Sequence, residues 1–216
     1  MVLDRRGASA GVPMAKIVKY PHPALRHPAT PVRVIDKPIR AVIGELLHLM
    51  REHRGLGLAA PQIGVPVQIF VMNPAGDPSK PELDQVFLNP VISEKRGSVE
   101  AEEGCLSFPD LFQKVRRARS IRVQAINDKG EAVDLRLSDL EARIVQHETD
   151  HLHGRLFIDY FSPVAKMDSR DRLAWFEREF KKAQEKKELP PTKEIQRQLK
   201  ALVEQVAQGT HTPPLL

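Results

Sequence analysis

The chain has one cysteine, Cys105, one tryptophan and two tyrosines in 216 residues, and aromatic residues make up only 5% of it. A single thiol excludes an intramolecular disulfide and makes a reducing compartment, the cytoplasm, the expected location. No apolar run approaches the roughly 18–20 residues that span a bilayer, so no membrane partner is expected. No internal repeat is present. Neither sign of charge dominates: 33 Lys and Arg against 28 Asp and Glu give a net charge of +5, which suits contact with a polyanion without demanding it. Arg116, Arg117, Arg119 and Arg122 form the densest basic stretch. No aromatic residue interleaves them to stack on bases, so a solvated strand edge is the favoured reading and no specific DNA binding is expected. With 41% apolar and 28% charged residues, the composition is that of a soluble globular protein.

Along the chain, strand-like and helix-like stretches alternate without a regular β-α-β rhythm, which argues an α+β fold. Residues 16–20 read as a short edge strand before a proline-rich segment. Asp36 and Pro38 open a helix carried by Ile39, Val42, Ile43, Leu46 and Met50 and closed by Gly55. Strands are expected at Val67–Met72 and Val86–Ile92. Val115–Ile126 reads as one half-buried strand, returned by the turn Asn127–Gly130 into Glu131–Leu137. The expected architecture is antiparallel sheets and hairpins packed around a central metal-binding helix. A catalytic domain would then span 15–163, with a helical C-terminal extension over 164–216. In that extension, amphipathic stretches at 168–188 and 193–208 flank Pro190-Pro191, and the second stops at Gly209. They could pack on the catalytic domain, dimerise or dock elsewhere. Residues 1–14 show no periodicity and read as a disordered extension ahead of a working start at Met14.

The chemistry concentrates in Gln146-His-Glu-Thr-Asp-His151. On a helix, His147 and His151 share one face and can reach one metal, and Glu148 can address a water there. Ser138 with Glu141 reads as a capping box, Leu140 and Ile144 extend the histidine stripe towards the core, and Gly154 ends the helix. Two histidines leave a metal short of ligands. Position 157, where an extended protease motif would supply a third histidine, is Phe. Glu177 and Glu179 are conceivable donors. Cys105 is the better one, because a thiolate suits soft or borderline metals and Gly104 beside it admits close backbone approach. The bland alternatives are an inert buried thiol and hydrogen-bonded core histidines.

Three segments occur together: Gly55-Leu-Gly-Leu-Ala-Ala-Pro-Gln62, Glu103-Gly-Cys-Leu-Ser107 and His147-Glu-Thr-Asp-His151. The set resembles the peptide deformylases over roughly residues 15–163, and the opening Ile17–Pro21 and the close at Gly154–Asp159 are similar too. Thr149 stands where that family has an apolar residue, and Phe108–Gln113 follows no pattern that can be assigned. The resemblance implies removal of the N-formyl group from the initiating methionine of nascent polypeptides. It implies Cys105, His147 and His151 as ligands of Fe2+, with Zn2+, Ni2+ or Co2+ able to substitute, and Glu148 as general base. It also implies that the Gln62 amide and the Leu106 backbone N–H stabilise the oxyanion. Gly57 is the expected close contact of the substrate backbone, and Leu58, Ile144 and Leu140 are expected walls of the methionine pocket. Asp150, Gln146 and Glu103 are expected to be structural. Two other readings stand beside this one: a metalloprotease, on the helix motif alone, and a silent binder of nascent chains or ribosomal RNA, on the four arginines, with the ribosome as partner.

Overall fold

The computed structural model describes residues 16–208. The expectations for residues 1–14, Met14 and Gly209 lie outside the described residues. Among those described are helices α1 (Lys37–Glu52), α2 (Asp139–Leu152), α3 (Pro163–Glu185) and α4 (Thr192–Gln208). Strands are β1 (Gly57–Ala59), β2 (Ile69–Met72), β3 (Gln85–Arg96), β4 (Val99–Cys105), β5 (Phe108–Arg117), β6 (Ser120–Ile126) and β7 (Ala132–Ser138). An antiparallel sheet runs β1-β2-β3-β6-β7, and β4 and β5 form a separate hairpin. The fold is α+β.

Strand periodicity explains the layering. Every residue of β2 is buried, and its side chains alternate between faces. Ile69 and Val71 join Ile39, Val42, Ile43 and Leu46 of α1, whereas Phe70 and Met72 join Ala142, Ile144 and Val145 of α2. The sheet is therefore covered by α1 on one face and by α2 on the other. The start of α1 is capped by Asp36, whose carboxylate accepts the Ile39 N–H at 3.0 Å. Ser138 does precede α2, but its side chain makes no capping bond, so the expected capping box is absent.

Two expected strands differ. Residues 16–19 form no ladder, because they bond to two separate segments: Val18 N–H donates to Gln62 O at 2.8 Å and Tyr20 N–H to Ser107 O at 3.0 Å. The segment is a brace between the Gln62 loop and the Cys105 hairpin. Val115–Ile126 is not one strand but the end of β5 and the whole of β6, which belong to different sheets. Its alternation is continuous because both halves are half-buried, so periodicity alone does not reveal the break.

The C-terminal helices pack on the rest of the chain. Phe176 of α3 shares a buried cluster with Leu25, Phe108 and Phe157, and its ring meets Phe108 edge-on at 5.9 Å. Ile195 and Leu199 of α4 close over Ala24.

Gly154, just past α2, has φ +68°, and a Cβ there would lie 2.5 Å from the Arg26 carbonyl oxygen. A left-handed backbone alone costs an alanine about 1–2 kcal/mol. Gly154→Ala should therefore lower the unfolding free energy in urea by at least about 2 kcal/mol, and a change under 0.5 kcal/mol would show that the loop relaxes freely. His22 offers a second test. Burial holds its pKa down to about 4 from 6.5, and its Nδ1 accepts the Ala24 N–H at 3.2 Å. Between those values the unfolded chain binds the extra proton, so stability falls as pH drops from about 6.5 to 4. His22→Asn should flatten this part of the pH profile by an amount on the order of 3 kcal/mol.

Candidate active site

Helix α2 carries most of the site on its buried face. His147, Glu148 and His151 are all at least nine-tenths buried, and the β4–β5 hairpin presents Cys105 to them. A register shift between Gly104 and Cys105 breaks the hairpin's regular pairing and turns the thiol out of the strand towards the helix. The Cys105 sulfur, a ring nitrogen of His147 and one of His151 lie within 4.8 Å of one another, and Sγ is 3.4 Å from His151 Nε2. One sulfur and two imidazole nitrogens are a donor set for borderline divalent metals.

The surroundings fit such an ion. His147 Nδ1 is engaged by Glu103 Oε2 at 3.0 Å, which leaves Nε2 free to ligate. Burial disfavours charge on His147, but its contacts with Cys105 and Glu103 outweigh burial and raise its pKa to about 10. The pocket thus favours a positive charge, which a divalent cation supplies. His151 is held well below its usual value by burial and then by the charge on His147. A neutral imidazole is the form that binds a metal.

Glu103 is itself the centre of a buried ion network. Its carboxylate accepts Arg117 Nε at 2.8 Å and Nη2 at 2.9 Å, and Arg143 Nη1 at 2.5 Å. Burial pushes Glu103 up, but the hydrogen bonds from His147 and Arg117 prevail and hold it at about 2. Arg117 continues to Asp150 at 2.5 Å, and Asp150 accepts the Tyr160 hydroxyl at 2.9 Å. Gln146 ties the same helix to Ala118 through bonds to both its N–H and its carbonyl. Sequence reasoning expected a structural role for Glu103 and missed its hold on His147. It also missed Arg143, and read Arg117 as solvated. A signal was available: Arg143 sits four residues before His147 on the same helix face, and Arg117 shares the buried strand face of Val115. A buried cation on either face calls for a carboxylate.

The other sequence expectations divide. Gln62 is in place: its Oε1 accepts the Ala59 N–H at 2.9 Å, which aims Nε2 at Cys105 Sγ (3.4 Å) and Ser107 Oγ (3.2 Å). Leu106 lines the cleft, and its carbonyl is held by the Lys19 ammonium at 2.8 Å. Gly57 lines the cleft together with Gly55. A Cβ on Gly57 would lie 2.6 Å from Glu148 Oε1, so the missing side chain makes room for the carboxylate of α2. Leu58 does not line the cleft. Its side chain is fully buried against α1, because neighbours in a strand face opposite ways and Gly57 takes the α2 side. Ile144 lines the cleft and is 5% exposed, whereas Leu140, expected in the core, stands at the rim with 48% exposure.

Among the described residues Glu148 Oε2 has no hydrogen-bond partner in its buried position, and burial raises the carboxyl pKa to about 7 against the pull of His147 and Arg117. The cleft, about 510 Å³ in volume, opens onto Cys105, His147 and Glu148 from solvent. The four arginines that suggested nucleic acid each hold an acid on this chain: Arg116 with Glu100, Arg117 with Glu103 and Asp150, Arg119 with Asp139, and Arg122 with Asp134 and Glu94.

A family model described as polypeptide deformylase matches residues 14–167. The chain belongs to that family. Among relatives, a peptide deformylase from Nitrosococcus oceani is 42% identical over 164 residues, covering 73% of this chain and 96% of its own. Of the solved structures, a Plasmodium falciparum peptide deformylase superposes with a TM-score of 0.74 at 36% identity, covering 77% of this chain and 97% of the other. An Arabidopsis thaliana peptide deformylase 1B in complex with an inhibitor gives 0.73 at 38% identity, covering 81% and 95%. The protease reading of the helix motif gives way to this membership.

In this deformylase the Glu103 network makes a clear prediction. Glu103→Gln leaves Arg117 and Arg143 short of a buried counter-charge, a change that typically costs about 3–5 kcal/mol. It also loosens His147, so metal affinity in a chelator competition should fall about 10–100-fold. Unchanged affinity would show that His147 is oriented without Glu103.

Proposed function

We propose that the Cys105–His147–His151 cluster and Glu148 carry out the reaction of the family. The chain is a metal-dependent hydrolase that removes the N-formyl group from the N-terminal methionine of polypeptides. The observation that carries this assignment of residues is the convergence of one thiol and two imidazoles within 4.8 Å beside a buried, unpartnered carboxylate.

Cys105, His147 and His151 hold the ion through Sγ and one nitrogen from each ring. When bound, the metal supplies Lewis acidity, which lowers the pKa of a coordinated water and polarises the formyl carbonyl. Glu148 takes the proton from the attacking water and returns it to the departing amine nitrogen. Its burial, and an Oε2 that has no partner among the described residues, support that shuttle. As the formyl carbon becomes tetrahedral, the Gln62 amide and the Leu106 N–H donate to its oxygen. The bond from Ala59 to Gln62 Oε1 supports the role, because it fixes which end of the amide faces the site. Ile144, with Leu140 at the rim, forms the apolar wall for the methionine side chain, and the substrate backbone passes along the Gly55–Gly57 edge.

Fe2+ is the proposed native metal, with Zn2+, Ni2+ and Co2+ as substitutes; the mixed sulfur and nitrogen donor set supports all four. Formylated nascent chains arise at the ribosome, so the proposed setting is the cytoplasm. The single free thiol supports a reducing compartment. Among the described residues no helix is long and apolar enough to cross a membrane.

Glu148→Ala should abolish formate release from formyl-Met peptides while metal content stays at one ion per chain. Gln62→Ala should lower kcat by about 10²–10³-fold, the usual effect of losing one oxyanion donor. Both are read by coupling formate release to metal analysis of the same iron-loaded, anaerobic sample. Full activity of the Glu148 variant would remove that residue from the mechanism.

A further inference from the structure

The C-terminal helices form a second cavity, of about 740 Å³, against the brace at residues 16–19. Its walls include Ile17 and Val18 of the brace, Trp175 and Phe180 of α3, Leu189 between the helices and Ile195 of α4. It shares only Lys19 and Pro109 with the lining of the catalytic cleft. The helical walls lie past residue 167, outside the family match. Apolar walls around a space of this size, with a few polar groups among them, are the usual makings of a small-molecule site.

Two polar groups on these walls lack partners. The Gln198 Nε2 donates to Glu194 Oε1 at 3.2 Å, which leaves Oε1 as the amide's acceptor. That oxygen is buried and has no partner among the described residues. His22 meets Phe180 edge-on at 6.1 Å, and its Nδ1 accepts the Ala24 N–H. Burial keeps the ring neutral, so its one proton is on Nε2, a donor with no acceptor among the described residues. The charged and phenolic groups nearby are already engaged: Lys19 with the Leu106 carbonyl, the Tyr20 hydroxyl with Glu177, and Glu179 with Lys182. The cavity therefore offers one acceptor and one donor, both neutral, and its aromatic walls favour a ring between them.

We propose that this cavity binds an uncharged amphiphile, a small molecule with an apolar, ring-bearing body and one hydroxyl group. The hydroxyl donates to Gln198 Oε1 and accepts from His22 Nε2–H, and it is the one simple group that does both. The body packs among Trp175, Phe180 and Ile195. The site is separate from the catalytic cleft and goes beyond the deformylase reading.

The probe is 4-heptylphenol, and its methyl ether is the control that lacks the donor. Trp175 is the only tryptophan of the chain, so its emission reports occupancy, with titration calorimetry as a second readout. The full chain should bind the phenol with a Kd of about 10–100 µM. The ether should bind about tenfold more weakly, the usual loss when a buried acceptor stays unpaired. Gln198→Leu should bring the two within about twofold of each other. Ala183→Trp, which fills the cavity from a half-buried position on α3, should weaken both by more than about tenfold while formate release stays as in wild type. If that variant does not fold, the wild-type ratio and its loss in Gln198→Leu still decide the matter. Equal binding of phenol and ether by the wild type overturns the proposal, as does binding that survives Ala183→Trp. Failure of the phenol to bind the full chain also overturns it. A dimer in sedimentation would then give the cavity to a second copy, and binding regained in a chain starting at Met14 would give it to the chain's own first residues. A wild type that releases no formate overturns the deformylase assignment instead and leaves this site standing.

Discussion

The carboxylate of Glu103 is the interaction on which the site depends. Four protein groups converge on its two oxygens: both ends of the Arg117 fork, Arg143 and the His147 ring. Arg117 comes from the end of β5 and Arg143 and His147 from successive turns of α2, while Glu103 itself belongs to β4. A buried carboxylate with so many donors cannot move without leaving charges unpaired, so it locks the hairpin that carries Cys105 to the helix that carries both histidines. Buried ion pairs add little net stability compared with well-packed apolar groups. Here the network serves geometry: it holds the sulfur and the imidazoles, which are separated by more than 40 residues of sequence, within reach of one ion.

The same helix has to satisfy two demands. One stripe of α2 packs Ala142 and Val145 against Phe70 and Phe87 of the sheet, while His147, Glu148 and His151 must meet the hairpin and the cleft. Polar residues on a buried face are costly unless each finds a partner. His147 finds Glu103, and Gln146 finds the main chain of Ala118. Glu148 Oε2 and the Nδ1 of His151 do not, among the described residues. Thr149 Oγ1 on the same helix is likewise without a partner among the described residues.

Much of this was legible from residues alone. Histidines four apart, a glutamate between them and a glycine after them define the helix and its buried face, and a thiol beside a glycine offers a third donor group, with an inert buried thiol as the alternative. The 3.6-residue period that reveals such a face does not reveal what it meets. Arg117 read as one of a solvated basic series because an alternating strand looks alike whichever face is buried. Only the hairpin's placement shows that Arg117 turns inward with Val115 while Arg116 turns outward. Leu58 read as a pocket wall because it adjoins Gly57. The two-residue period of β1 sends it to the opposite layer, and which face of so short a strand meets α2 is set by tertiary packing. Val115–Ile126 read as one strand for the same reason: the pattern continues across a point where the chain changes sheet.

The glycines show how the cleft is assembled from missing side chains. At position 57 the space is taken by the Glu148 carboxylate, and at position 104 by the Phe112 ring. Either glycine seen alone suggests a backbone left bare for a ligand. Each is in fact filled from within the protein, by a group that then faces the cleft. An alanine at position 57 would meet the Glu148 carboxylate, and one at position 104 the Phe112 ring. The two glycines therefore differ in kind: one makes room beside a buried carboxylate of α2, the other beneath an exposed ring of the hairpin. That separation follows from packing: a helix side chain fills the first space and a cross-strand side chain the second.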